Sequence, residues 1–176
     1  MNLIPGFRLR ERTEGYSLSY CRKRYYKTVN NNFAVVLFLD PPIPCTGTYR
    51  FSIRGLSYIL GTSTPQNTAI GFGIDPIVTD GSPFWYSTRE LGLYWSNSDI
   101  FIKGVSQGFG SYQPTWVVGN VETITVDMDY NQFWFEIAGI RSREKFSFYV
   151  NSEDRGKLHF FVHSHLSGAD VEIYDD

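Results

Sequence analysis

Apolar and polar residues alternate with a period of two along most of this chain, and that pattern points to strands rather than helices. The clearest stretch is 122–137. Ile124, Val126 and Met128 fall on one side of an extended segment, and Thr123, Thr125, Asp127 and Asp129 fall on the other. After Tyr130-Asn131 the pattern resumes, with Phe133, Phe135 and Ile137 set against Gln132, Trp134 and Glu136. A two-residue turn at Tyr130-Asn131 pairs Met128 with Phe133, Val126 with Phe135 and Ile124 with Ile137. Every apolar residue then meets another on the same face of the sheet. The expectation is a hairpin with one buried side and with Trp134 opposite Asp127.

The same rule marks Tyr49, Phe51 and Ile53 against Thr48, Arg50, Ser52 and Arg54. It also marks strands at Ile70-Phe72-Ile74, Leu93-Trp95, Ile100-Ile102, Phe146-Phe148-Val150, Leu158-Phe160-Val162 and Val171-Ile173. The unbroken apolar run 33–39 reads as a central strand covered on both faces. Turn-rich connections lie at 40–47, 61–68, 75–90, 104–120 and 151–156. No segment carries a helical stripe. Many short strands joined by Gly- and Pro-rich loops mean an all-β fold, either a sandwich or a closed barrel. With 176 residues the chain suits a single domain. We place that domain at 16–176, preceded by a loosely held arm at 1–15 that carries Arg8, Arg10, Glu11 and Arg12.

Charge excludes some partners. The formal net charge is −2, from 16 basic and 18 acidic residues, so no broad basic field exists for nucleic acid or an anionic membrane. Arg22-Lys23-Arg24 with Lys27 is the one basic cluster, interleaved with Tyr25 and Tyr26. Such a cluster can grip single-stranded RNA by charge and stacking. The simpler reading, a polar edge strand guarded by its charges, is the one adopted. Two cysteines, Cys21 and Cys45, allow one disulfide at most and do not make a disulfide framework. No apolar run approaches the ~20 residues of a membrane span, and no apolar leader opens the chain. The expectation is a cytoplasmic, intracellular domain, monomeric when isolated.

The order of these pieces resembles the SPRY family, whose fold is a concanavalin-like sandwich of two bent antiparallel sheets. Thr46-Gly47-Thr48-Tyr49-Arg50-Phe51-Ser52-Ile53 is similar to that family's early strand, and Ile70-Gly71-Phe72-Gly73-Ile74 to the strand that follows. Gly92-Leu93-Tyr94-Trp95 with Ile100-Phe101-Ile102-Lys103-Gly104 resembles its next hairpin. Residues 119–129 look like its G-D-x-I-x-V-x-L-D block, and Phe133-Trp134-Phe135-Glu136-Ile137-Ala138-Gly139 like the F-x-F-x-x-N-G that comes after. Residues 158–166 and 170–173 resemble the closing strands. Asn120 stands where the family usually has Asp, and Ala138 where it usually has Asn. The resemblance implies a two-sheet antiparallel β-sandwich of jelly-roll type and a non-catalytic role in protein–protein interaction.

Four constellations bear on chemistry. Gly104-Val105-Ser106-Gln107-Gly108 spells G-x-S-x-G, but a nucleophile elbow needs a strand before it and a helix after it. Phe109-Gly110-Ser111-Tyr112-Gln113-Pro114 reads as loop, so Ser106 is not taken as catalytic. Asp127 and Asp129 with Trp134 suggest a sugar platform. Retaining hydrolysis wants carboxyls about 5–5.5 Å apart, yet the acidic strand pattern of jelly-roll glucanases is absent, and carbohydrate binding without hydrolysis stays as the alternative function. His163 and His165 point the same way about 6.6 Å apart on a strand, a spacing that suits zinc. His159 lies too far along to complete that site, so these histidines read as outward polar residues and no metal is assigned. No phosphate loop or dinucleotide fingerprint is present, so no cofactor is expected and the chain reads as no enzyme.

The aromatic-rich connections are the better lead. Residues 75–90 carry Phe84, Trp85 and Tyr86 beside Arg89, and 104–120 carry Phe109, Tyr112 and Trp116 with Gln113. Loops on a rigid scaffold commonly hold binding residues, and Trp, Tyr and Arg dominate interface hot spots. In the SPRY family such loops gather at one end of the sandwich and form a shallow cleft for a short peptide or protein. Trp85, Tyr86, Arg89, Tyr112 and Gln113 are therefore the expected binding residues, with a protein or short peptide as partner.

Overall fold

The computed structural model describes residues 7–10, 16–27, 35–56, 68–75, 89–95, 99–109, 119–141, 145–164 and 170–174. Their regular structure is fifteen strands and one 3-10 turn, Arg155–Lys157. The strands are β1 (Arg8–Leu9), β2 (Tyr16–Leu18), β3 (Arg24–Lys27), β4 (Val35–Asp40), β5 (Thr48–Gly55), β6 (Thr68–Ile74), β7 (Glu90–Trp95) and β8 (Asp99–Ile102). There follow β9 (Val105–Phe109), β10 (Val121–Asp127), β11 (Gln132–Ile137), β12 (Ile140–Arg141), β13 (Phe146–Ser147), β14 (Leu158–Ser164) and β15 (Asp170–Ile173). One sheet runs β1-β4-β14-β6-β7-β8-β9, and the other runs β12-β11-β10-β5-β15-β3-β2 with β13 also on β11. Every pairing is antiparallel. The expected all-β sandwich is the fold.

Between the sheets lies an apolar core drawn from alternate positions. Tyr49, Phe51, Ile53, Ile124, Val126, Phe133, Phe135 and Ile137 of the second sheet meet Leu37, Leu39, Ile70, Phe72, Tyr94, Phe160 and Val162 of the first. Rings interlock across the gap, with Phe72 edge-on to Phe133 at 5.2 Å and Phe51 stacked on Phe160 at 5.5 Å. Two expectations, one of register and one of burial, need correction. The β10–β11 register pairs Val126 with Phe133, Ile124 with Phe135 and Glu122 with Ile137. It is offset by two residues from the expected pairing, and the turn is a four-residue loop. An offset of two keeps every side chain on its face, so alternation alone does not choose between the two registers. His159 and His163 are also buried rather than outward. Their face of the first sheet carries a second apolar cluster of Phe38, Ala69, Leu93, Phe101 and Phe161. His165 lies outside the described residues.

Other elements depart from the sequence reading as well. Residues 105–109, expected as loop, form β9 at the edge of the first sheet. Within the stretch expected as an arm, Phe7 and Leu9 are buried in the core and β1 pairs with β4. Arg10 then forks onto Asp40 and reaches Asp75 at 2.9 Å, and this hydrogen bonding holds the Asp40 carboxyl below its usual pKa. The basic cluster is not at the edge, because β3 lies inside β2. Tyr25 is buried in the core and Arg24 is paired with Asp170. Cys21 and Cys45 are both free and exposed, so no disulfide joins them.

Among the described residues, one inward-facing core position carries a carboxyl. Glu122 faces inward between Ile53 and Ile137, is 0% exposed, and has no hydrogen-bond partner on either carboxyl oxygen. Burial pushes its pKa well above the ordinary 4.5, which favours the neutral acid. The unfolded chain loses this proton at the ordinary value while the folded chain keeps it. Stability therefore falls as pH rises through the window between the two. Glu122→Ile should abolish that slope and stabilise the protein at neutral pH by about 2 kcal/mol, the cost of an unsatisfied buried polar group. Glu122→Gln should remove the slope alone; urea melts across a pH series measure both. A second prediction comes from the β11–β12 turn, where Ala138 has φ 50° and Gly139 φ 80°. A left-handed conformation costs an ordinary residue about 1–2 kcal/mol, and Asn tolerates it better. Ala138→Asn should raise stability by about 1 kcal/mol in the same melts.

Candidate functional site

Register places the strand ends unambiguously. At one end of the first sheet, Thr68 pairs with Ser164, Ala69 with Trp95 and Asp99 with Phe109. At the opposite end, Leu158 pairs with Ile74. In the second sheet Val121 and Gly55 lie at one end, Thr48 and Asp127 at the other. Arg155 shows which ends correspond. It stands just before β14, donates to Met128 O and to Asn131 Oδ1 at 2.8 Å in the β10–β11 loop, and reaches Cys45 O at 3.0 Å in the β4–β5 connection. We call this the Arg155 end and the opposite one the Glu122 end.

Segments 28–34, 57–67, 96–98, 110–118 and 165–169 all leave from strand termini at the Glu122 end. Segment 76–88 leaves from β6 and enters β7 at the Arg155 end. The two connections expected to gather at one end are thus anchored at opposite ends. Trp85, Tyr86, Tyr112 and Gln113 lie outside the described residues. Arg89 is described, and its guanidinium donates to Ile74 O and Asp75 O, each at 3.2 Å. It staples the end of β6 to the start of β7.

The face expected as a sugar platform is built differently. Trp134 pairs with Thr125 rather than with Asp127. Its indole is 8% exposed, with the Arg141 guanidinium 4.7 Å and the Lys145 ammonium 4.6 Å from the ring centre. Asp127 Oδ1 accepts the backbone N–H of Asp129 and of Tyr130, each at 3.0 Å, and Asp129 Oδ1 accepts that of Gly47 at 3.0 Å. These carboxylates fold the loop, and the exposed ring beside them is Tyr130 rather than Trp134. Ser106 sits on edge strand β9 in register with Phe101, with no helix after it among the described residues. His159 is held by Leu39 O at 2.8 Å from Nδ1, with Asp40 at 3.5 Å and Asp75 at 3.9 Å.

A rigid two-sheet antiparallel sandwich is the class of structure these features define, and its fold is SPRY-like. The SPRY domain of human HERC1 superposes with a TM-score of 0.67 at 16% identity, covering 92% of this chain and 93% of that one. A second human SPRY domain gives 0.68 at 11% identity, covering 92% and 95%. The PSpry domain of TRIM65 gives 0.66 at 10% identity, covering 99% and 94%. At such identities the likeness is one of fold. No protein-family model matches the sequence, and no curated protein matches it. Among the described residues no helix is long and apolar enough to cross a membrane.

Sequence reasoning missed Arg155, Glu122 and the Trp134–Arg141–Lys145 group. The last carried a signal, an aromatic on the polar side of a strand followed closely by basic residues. Arg89 supplies the prediction here. Arg89→Met should cost about 1–2 kcal/mol in a thermal or urea melt, because two backbone carbonyls lose a charged donor.

Proposed function

We propose that this domain is a non-catalytic recognition module that holds a protein or short peptide at the Glu122 end of the sandwich. The observation that carries this reading is the anchoring of five connections at that one end. Connections on a rigid scaffold diverge at little cost to the core, which is why binding residues concentrate there. The SPRY-like fold supports the same reading by analogy. Tyr112 and Gln113 belong to one of these five segments and are its proposed contacts. Trp85, Tyr86 and Arg89 belong to the connection rooted at the Arg155 end and form a separate set. The carbohydrate alternative required an open Trp134 face and has no support from the covered indole.

The experiment captures partners on the purified domain, then repeats the capture with alanine variants whose melting temperatures match the parent. Tyr112→Ala with Gln113→Ala should weaken binding by about thirtyfold, the usual effect of losing an interface hot spot. Trp85→Ala with Tyr86→Ala should leave binding unchanged. Loss with the second pair alone would move the site to the Arg155 end. Unchanged binding with both pairs would sink the loop reading.

A further inference from the structure

The outer face of the second sheet divides into two kinds of charge. Towards β3 the cations are matched, Arg24 to Asp170 at 2.6 Å and Arg54 to Glu172. Around Trp134 they are not. Arg50, Thr125 and Trp134 form one row across β5, β10 and β11, and Arg141 and Lys145 lie over the indole. No carboxylate pairs with Arg50, Arg141 or Lys145 among the described residues. Asp127 is turned into its own loop. Glu136 stands in register with Arg141 without an ion pair, so among the described residues this patch holds three cations against one carboxylate. At its floor the Thr125 hydroxyl is buried and has no hydrogen-bond partner.

We propose that this face docks an acidic, extended segment of a partner protein, separately from the connections at the Glu122 end. Charge sets the class of partner, since three unmatched cations favour carboxylates. Geometry sets its form. Arg50 and Trp134 sit two strands apart, about 9.6 Å, and an extended chain advances about 3.3 Å per residue. Carboxylates on alternate residues share one face of a strand-like peptide at intervals of about 6.6 Å, so two or three in succession cross the patch. Single-stranded nucleic acid is the competing polyanion, but its affinity for such surfaces draws on base stacking. The indole, covered by two cations, offers no face for that.

The test titrates the full chain, by fluorescence anisotropy, with three labelled probes: a peptide of alternating Glu and Ser, the same peptide with Gln for Glu, and an oligothymidylate. The Glu peptide should bind, weaken with added salt and exceed the other two. Arg50→Gln and Lys145→Gln should each weaken it by about threefold, the scale of an exposed ion pair. Glu136→Gln should tighten it, a gain that damage to the fold does not produce. Equal binding of the Glu and Gln peptides would overturn the proposal. So would tighter binding of the oligothymidylate, or unchanged affinity in Arg50→Gln with an unchanged melt. None of these outcomes depends on Tyr112 or Gln113, so the loop reading stands or falls by its own experiment.

Discussion

Among the described glycines, the least room for a side chain is at Gly71 of β6 and Gly92 of β7, which are set diagonally across the strand pair against the rings on either face. A Cβ at Gly92 would lie 2.7 Å from the Phe133 ring and 2.8 Å from Phe72 in the core. One at Gly71 would lie 2.5 Å from Gly92 O and 2.7 Å from Phe161 on the outer face. Only a residue without a side chain lets the rings on both faces of the sheet approach so closely. From that contact the aromatic layer extends outward, Phe72 to Phe148 at 5.0 Å and Phe133 to Phe146 at 5.4 Å. The chain after β12 is thereby packed against the first sheet although its strand pairing belongs to the second. The places of Phe133 and Phe72 on the core face and of Phe161 on the outer face depend on these two missing side chains.

The alternation of side chains was enough to read the fold class and most strand faces, because burying one side of a sheet dictates which residues point inward. Register was not legible at β10–β11. Two registers two residues apart both satisfy the apolar pattern, and the choice rests on local and distant hydrogen bonds. Asp127 caps the loop from within, Asn131 adopts φ 52°, and Arg155 binds Met128 O from the far side of β13. That last contact joins residues 27 apart in the chain, so no local pattern announces it. The buried histidines were misplaced because they share a face with Phe161. Unbroken runs such as Phe160-Phe161-Val162 and Ile100-Phe101-Ile102 carried the signal of a sheet covered on both sides.

The candidate binding residues were less legible, for a different reason. Composition singles out aromatic connections, but whether two connections meet depends on strand order, which pairs sequence-distant elements. β6 and β7 are hydrogen-bonded neighbours, so 76–88 is a hairpin connection at the Arg155 end. The passage from β9 to β10 changes sheets, and 110–118 leaves from the Glu122 end. Arg89 looked like a hot-spot arginine, yet two of its donors bind backbone carbonyls of Ile74 and Asp75.

Those carbonyls suggest how the domain divides stability from recognition. At the Arg155 end nearly every described connection is tied by side chains to backbone: Arg155 to Met128 and Cys45, Arg89 to Ile74 and Asp75, Tyr49 to Thr46 O at 2.7 Å, Asp129 to Gly47. Each such bond satisfies a group that would otherwise be lost to burial or left to water, and together they lock the strands in register. At the Glu122 end the inward carboxyl has no partner at all and subtracts from stability at neutral pH. A sandwich anchored firmly at one end can bear that cost at the other. Sequence change in the connections there leaves the clamps of the Arg155 end untouched, and that separation is the physical basis for one scaffold presenting many binding surfaces.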